Sequence, residues 1–274
     1  MNLNRPAIRA IMLKDLRQVT QNKMVWMPMV ILPLILLVIM PLAMVLLPTY
    51  FPTSDADMQE VITMLDRAPE FMRAPLADMT PLQAYVYVAG NYMFAPMFLI
   101  VPLMVASVIS ADSFAGEKER KTLEALLYTP VTDMELFLGK VLAALVPALV
   151  IDLLSFVLYA VVVNAAGYRA MGRLFFPAPT WWPMVFWLAP ALIAAALGAT
   201  VLVSSKSKSF MQTQQISGVV VLPVVALMLG QVTGLLFLSP GLVLLIGLVV
   251  WVVGLGLVWI GARTFQRGEL IARI

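Results

Sequence analysis

The sequence predicts an all-α polytopic membrane protein with six transmembrane helices, an amphipathic N-terminal interfacial helix and a charged cytoplasmic helix between spans 2 and 3. Three observations carry this. Of 274 residues, 62% are hydrophobic and only 12% are charged. Several apolar runs exceed the roughly 20 residues that cross a hydrocarbon core of about 30 Å. Lysine and arginine fall almost entirely into alternate connecting segments, as the positive-inside rule demands.

The elements follow in order. Residues 1–23 form the interfacial segment, in which Ile8, Met12, Leu16 and Val19 share one helical face with Arg5, Arg9, Lys14 and Arg17 around it. A solvated basic tail that merely sets topology is the plainer alternative. The transmembrane domain spans 24–262, with spans at about 24–47, 81–112, 135–164, 182–203, 210–238 and 240–262. The first run is too long for a signal-peptide core and lacks a small-residue cleavage site at Leu47-Pro48, so it is read as retained. Thr80-Pro81-Leu82-Gln83 starts span 2 as an N-cap with proline at N1 and glutamine at N3. Thr132-Asp133-Met134-Glu135 is a capping box before span 3, and Ser209-Phe210-Met211-Gln212 has the same form before span 5. Ser239-Pro240 opens span 6. Residues 263–274 are a basic cytoplasmic tail.

With the N-terminus inside, the inner segments hold 14 lysines and arginines and the outer segments four: Arg67, Arg73, Arg169 and Arg173. Both termini and the segment 113–130 are therefore expected in the cytoplasm, in a plasma membrane crossed several times. The outer loop 48–80 has six acids against two arginines, read as a solvated acidic surface without the spacing of a calcium loop. Trp181 and Trp182 are expected to anchor at the outer interface. Net charge is +3 and the basic residues are spread over loops at one face, so nucleic-acid binding is not indicated.

The segment Ser113–Pro130 is the chemical anomaly. Six charges lie between Glu117 and Glu124 (Glu117, Lys118, Glu119, Arg120, Lys121 and Glu124), with Thr122 and Leu123 among them. As a helix it places Leu123, Leu126 and Leu127 on one stripe and Glu117/Lys121 and Arg120/Glu124 at i,i+4 spacing. Such a helix has one edge to dock and one to be read by a soluble partner. The sequence from Ser107 through Leu127, then Thr129-Pro130 and Leu138-Gly139-Lys140, resembles the cytoplasmic coupling segment of type 2 ABC transporter permeases. The Glu-x-Glu-x-x-Thr-Leu-Glu pattern, here Glu117, Glu119, Thr122, Leu123 and Glu124, is similar to that of the NatB-like branch, associated with sodium and drug export. The tail at Ala262–Arg273 and the six-span layout share the resemblance. It implies a permease subunit of an exporter, paired with a second permease subunit, identical or different, and with two ATPase subunits that hold ATP and magnesium. Sodium, drugs, lipids and other amphiphiles are the cargo classes it allows. No Gly-x-x-x-x-Gly-Lys-Ser/Thr loop occurs, so an ATPase must be a separate chain and this chain is not itself expected to be an enzyme.

Within the spans, Asp152 is the one acid deep in an apolar run, about 18 Å along the helix from Lys140. Ala148, Ser155 and Tyr159 share its face. Such a carboxyl marks a substrate path or a cation or proton site, or else makes a structural hydrogen bond, for example to Gln231 or a backbone carbonyl. Gln231, Asn91, Thr233 and Asn164 are weaker candidates, read singly as interhelical glue. The 19 methionines lack a clustered partner set and are read as packing. No cysteine and no histidine occur, which removes thiolate metal sites and the commonest general base; no metal or cofactor is expected in this chain. The alternative function is an ion-gradient-driven secondary transporter or channel using Asp152.

Overall fold

The computed structural model describes residues 3–50, 68–122, 131–207, 209–233 and 235–264, and among them it is helical with no strand. Helix α1 (Arg5–Gln21) starts at Asn4, whose side chain accepts the Ala7 N–H at 3.2 Å. Six helices long and apolar enough to cross a membrane follow: α2 (Val25–Tyr50), α3 (Pro81–Glu119), α4 (Asp133–Met171), α5 (Trp181–Lys206), α6 (Phe210–Gln231) and α7 (Pro240–Thr264).

Local chemistry sets the ends. Thr80 and Thr132 each accept the N3 backbone N–H while Gln83 and Glu135 accept the cap N–H, so two orphan donors are satisfied at each start. Ser209 accepts the Gln212 N–H at 3.2 Å and Ser239 that of Leu242 at 3.2 Å. Gly172, at φ 64°, ends α4 in the left-handed conformation that costs glycine nothing. Helices α3 and α4 have 39 residues each, about 58 Å at about 1.5 Å per residue, and so project beyond a hydrocarbon core of about 30 Å.

Packing makes α3 the hub. It and α5 are mostly buried, whereas the other four spans keep most of their apolar surface outward. Antiparallel α4 and α5 both lie against α3, α6 closes on it from another side, and α7 packs along α5. Small residues allow that last contact. A Cβ on Gly198 would meet Leu257 Cβ at 2.6 Å, and one on Gly254 would meet the Ala195 nitrogen at 2.8 Å, so the two backbones touch. The end of the bundle away from α1 is closed by an aromatic cluster in which Tyr159 stacks on Trp181 at 5.0 Å and Phe176 meets Trp181 edge-on at 4.6 Å. Trp181 is therefore core and not an interfacial anchor; it is fully buried and donates its indole N–H to the Asn91 carbonyl at 2.7 Å. Trp182 stays half exposed.

The charged helix expected over Ser113–Pro130 is described only as far as Thr122. Span α3 itself continues through Glu119, and Lys121 at φ 56° ends it, with the Thr122 N–H returning to the Glu117 carbonyl at 3.0 Å. The expected Glu117/Lys121 pair is thus replaced by other partners. Leu123, Glu124, Leu126 and Leu127 lie outside the described residues, as do positions 51–67 and the tail from 265 on.

Candidate functional site

The end of the bundle that carries α1 gathers it with the end of α3 and the starts of α4 and α6 around a buried set of charges. Asp112 and Ser113 stand in a π-helical turn (Asp112–Gly116), one residue wider than the α-helical repeat. Against it lies Lys140, fully buried on the second turn of α4. Its ammonium donates to the Ser113 carbonyl at 2.6 Å and to Glu117, and it lies 3.5 Å from Asp15 of α1. Glu117, also fully buried, takes Lys14 of α1 on its other oxygen. Asp15 is held by charge and not by a hydrogen bond, between Lys14 at 3.2 Å and Lys140. Burial lowers the Lys14 pKa from its ordinary value, and Asp15 opposes that shift.

Two outer arms complete the joint. Arg120 donates to Asp112 at 3.0 Å and Gln18 of α1 donates to the same carboxylate at 3.0 Å. Glu135 accepts the Asn4 N–H at 2.7 Å with one oxygen and the Thr132 N–H at 2.8 Å with the other, tying the start of α1 to the start of α4. Glu119 accepts the Phe210 N–H at 2.8 Å, reaching the first turn of α6. Close approach of α1 depends on Gly139, where a Cβ would meet the Ile11 side chain at 2.8 Å. Charges this deep are kept only because each faces an opposite charge or a backbone dipole.

Helix α1 therefore buries a different face from the one its apolar residues suggest. Its buried residues are Ile11, Asp15 and Val19, so the stripe centres on an acid because Lys140 and Lys14 neutralise it. Of the eight residues expected to meet a partner, Glu117 has no exposed surface and serves as an internal counter-ion. Lys118 is half-buried, while Glu119, Arg120, Lys121 and Thr122 are exposed, the first and second already engaged by Phe210 and Asp112. Lys118 and Lys121 carry no ion pair among the described residues. Lys14, Asp15, Gln18, Asp112, Glu135 and Lys140 were not recognised as one site from sequence. The available signal was a charge inside an apolar run: Asp15 between Ile11 and Val19, and Lys140 between Gly139 and Val141.

A family model described as an ABC-2 family transporter protein matches residues 9–240, from within α1 to the first residue of α7. The chain belongs to the ABC-2 transporter family. Its members are membrane subunits of ABC transporters, and the ATPase activity lies in a separate subunit. No curated protein and no solved structure matches the chain.

Deeper in this ABC-2 chain the other sequence candidates separate into used and unused groups. Asn91 is fully engaged: its amide donates to the Tyr87 and Phe175 carbonyls at 3.1 and 3.3 Å and accepts the Ala178 N–H at 2.7 Å. Tyr159 donates to the Gly90 carbonyl at 2.8 Å. Asn164 bonds Ala160, Phe175 and Phe176. Gln231 donates to the Tyr92 carbonyl, not to Asp152, and its own carbonyl oxygen has no partner. Asp152 is 1% exposed and one of its oxygens is likewise unpartnered, with Ser155 buried one turn away. Among the described residues no group of three or more metal-ligating side chains occurs.

Proposed function

We propose that this chain is the membrane-spanning subunit of an ATP-driven exporter of the NatB-like branch. It would work as one of two permease subunits in the plasma membrane, with both termini cytoplasmic and a separate ATPase chain holding ATP and magnesium. The observation that carries the reading is the ionic joint at Glu117. The segment that resembles a coupling element leaves α3 at the point where α1, α3 and α4 are bound together by Lys14, Glu117 and Lys140. A force applied to residues 118–130 is delivered to all three helices at once. Lys118 and Lys121 present positive charge there, complementary to an acidic groove.

In this reading the ATPase subunits close on ATP and draw the two coupling segments together. Each α3–α4 pair turns as a rigid unit because its buried charges cannot separate into an apolar medium without a cost of several kcal/mol. The interface between the two permease subunits is the bistable element. Sodium, drugs, lipids and other amphiphiles are the cargo classes the reading allows.

The chain has no cysteine, so single cysteines give clean cross-links. Lys121→Cys is expected to cross-link to a co-expressed P-loop ATPase and Arg173→Cys at the opposite end is not. Transport that runs without ATP, with no ATPase retained on purification, would replace this reading by the ion-gradient one, to which the unpartnered Asp152 lends its support.

A further inference from the structure

Six charged side chains are buried among the described residues: Asp15, Asp112, Glu117, Glu135, Lys140 and Asp152. Five stand in the ionic joint around Glu117, each with an opposite charge or a backbone group against it. Asp152 stands alone, with no ion pair and one oxygen without any partner. A carboxyl at this depth costs several kcal/mol unless something compensates it.

Its surroundings define what that compensation can be. The contacts of Lys140 with Ser113 and of Tyr159 with Gly90 fix the antiparallel register of α4 on α3. Interpolation between them sets Asp152 level with Phe98 and Leu99, both fully buried. Pro102, one turn on in α3, has no N–H to give the Phe98 carbonyl, and Pro147, inside the continuous α4, has none to give the Ala143 carbonyl. Each helix thus lacks one backbone hydrogen bond in this stretch, where it can bend. Gln231, whose carbonyl oxygen is also unpartnered, lies beside Tyr92, toward the start of α3.

A bare metal ion does not fit this level, because a hard cation takes about six oxygen ligands and one carboxylate with apolar walls supplies too few. An organic cation does fit: one positive charge needs one counter-charge, and its apolar body needs apolar neighbours, for which Ala148 one turn away on α4 and Phe98 and Leu99 at the same level of α3 are available. We propose that Asp152 is the counter-ion for an apolar organic cation carried as cargo, a choice among cargo classes that rests on the permease reading above. Gln231 of α6, bonded to the Tyr92 carbonyl, offers a further acceptor toward the start of α3.

The test uses the full chain in phosphatidylcholine nanodiscs, with tetraphenylphosphonium as the probe and tetraphenylborate as its anionic counterpart of the same shape. Saturable tetraphenylphosphonium binding is expected, weakened about tenfold or more by Asp152→Asn and retained by Asp152→Glu. Tetraphenylborate binding should not weaken in Asp152→Asn. Wild-type protein supplies a second arm that needs no variant: tetraphenylphosphonium should protect Asp152 from dicyclohexylcarbodiimide, read by mass spectrometry. Equal affinity in Asp152→Asn, absence of saturable binding, or carbodiimide labelling of Asp152 that is absent or indifferent to the probe overturns the proposal. Displacement of the probe by sodium but not by choline overturns the organic-cation class in favour of an alkali ion. None of these measurements needs the ATPase, so their failure leaves the cross-linking result untouched.

Discussion

Lys140→Met is the most direct probe of the ionic joint at Glu117. In the native arrangement Lys14 and Lys140 face Asp15 and Glu117, and the four charges cancel. Methionine has nearly the length of the lysine stem but leaves two buried acids sharing only Lys14, whose side chain is 39% exposed and partly screened. Removing one member of a buried pair costs about 3–5 kcal/mol, because the remaining charge keeps its desolvation penalty. The lost bond to the Ser113 carbonyl falls within that figure. Glu117→Gln should cost less, since an amide oxygen still accepts from a lysine. The double variant Lys140→Met/Glu117→Gln returns the set to neutrality and should be less damaged than the sum of the singles by about 2 kcal/mol or more. Thermal unfolding of the purified protein, followed by tryptophan fluorescence, reads this as about 2–4 °C per kcal/mol. The gap should persist at about 1 M salt, because the lysine is out of reach of the electrolyte. A Lys140→Met midpoint within about 2 °C of wild type, or strictly additive variants, would refute the buried-joint argument.

Three further outcomes follow from other contacts. Asn91→Ala strips the buried Ala178 N–H of its acceptor and should cost about 2–3 kcal/mol, with faster hydrogen exchange across residues 172–183; unchanged exchange there would contradict the network. Gly198→Leu should wedge α5 from α7 and lower the unfolding midpoint strongly, whereas Gly256→Leu, with nothing within 4 Å of its Cβ position, should be near neutral in the same assay. Lys121→Gly should stabilise the end of α3 by up to about 1 kcal/mol by relieving its left-handed backbone, and Lys121→Val should do the reverse, both read in urea or thermal titrations.

The ease of reading different parts of this chain tracks how local their causes are. Capping boxes at Thr80 and Thr132 need four consecutive residues, so they stand plainly in the sequence. The end of α3 was misjudged because propensity favours helix through Glu117–Leu127, while the Thr122 N–H closes back on Glu117 with Lys121 left-handed. Trp181 was misjudged because an adjacent tryptophan pair beside a proline looks interfacial, and nothing local says that Phe98, Tyr159 and Phe176 will surround one of them. Asn91 and Tyr159 stand beside Asp152 as polar candidates in the spans, the acid the strongest of the three. Only the hydrogen bonds to Gly90, Phe175 and Ala178 show that the first two are engaged and the last is not.

By itself the sequence determined that the chain is helical and crosses a membrane six times, because composition and run length decide that without any knowledge of neighbours. It also singled out Glu117–Glu124 as a charged break in an apolar chain. Tertiary structure decided what the charges do. Glu117 turned inward to meet Lys14 and Lys140, residues distant in sequence, because an ion in an apolar interior must find its opposite wherever the fold brings one. The same rule isolates Asp152: the fold brings it no partner from within the described chain, and a buried carboxyl without one either holds a proton or takes its counter-charge from outside.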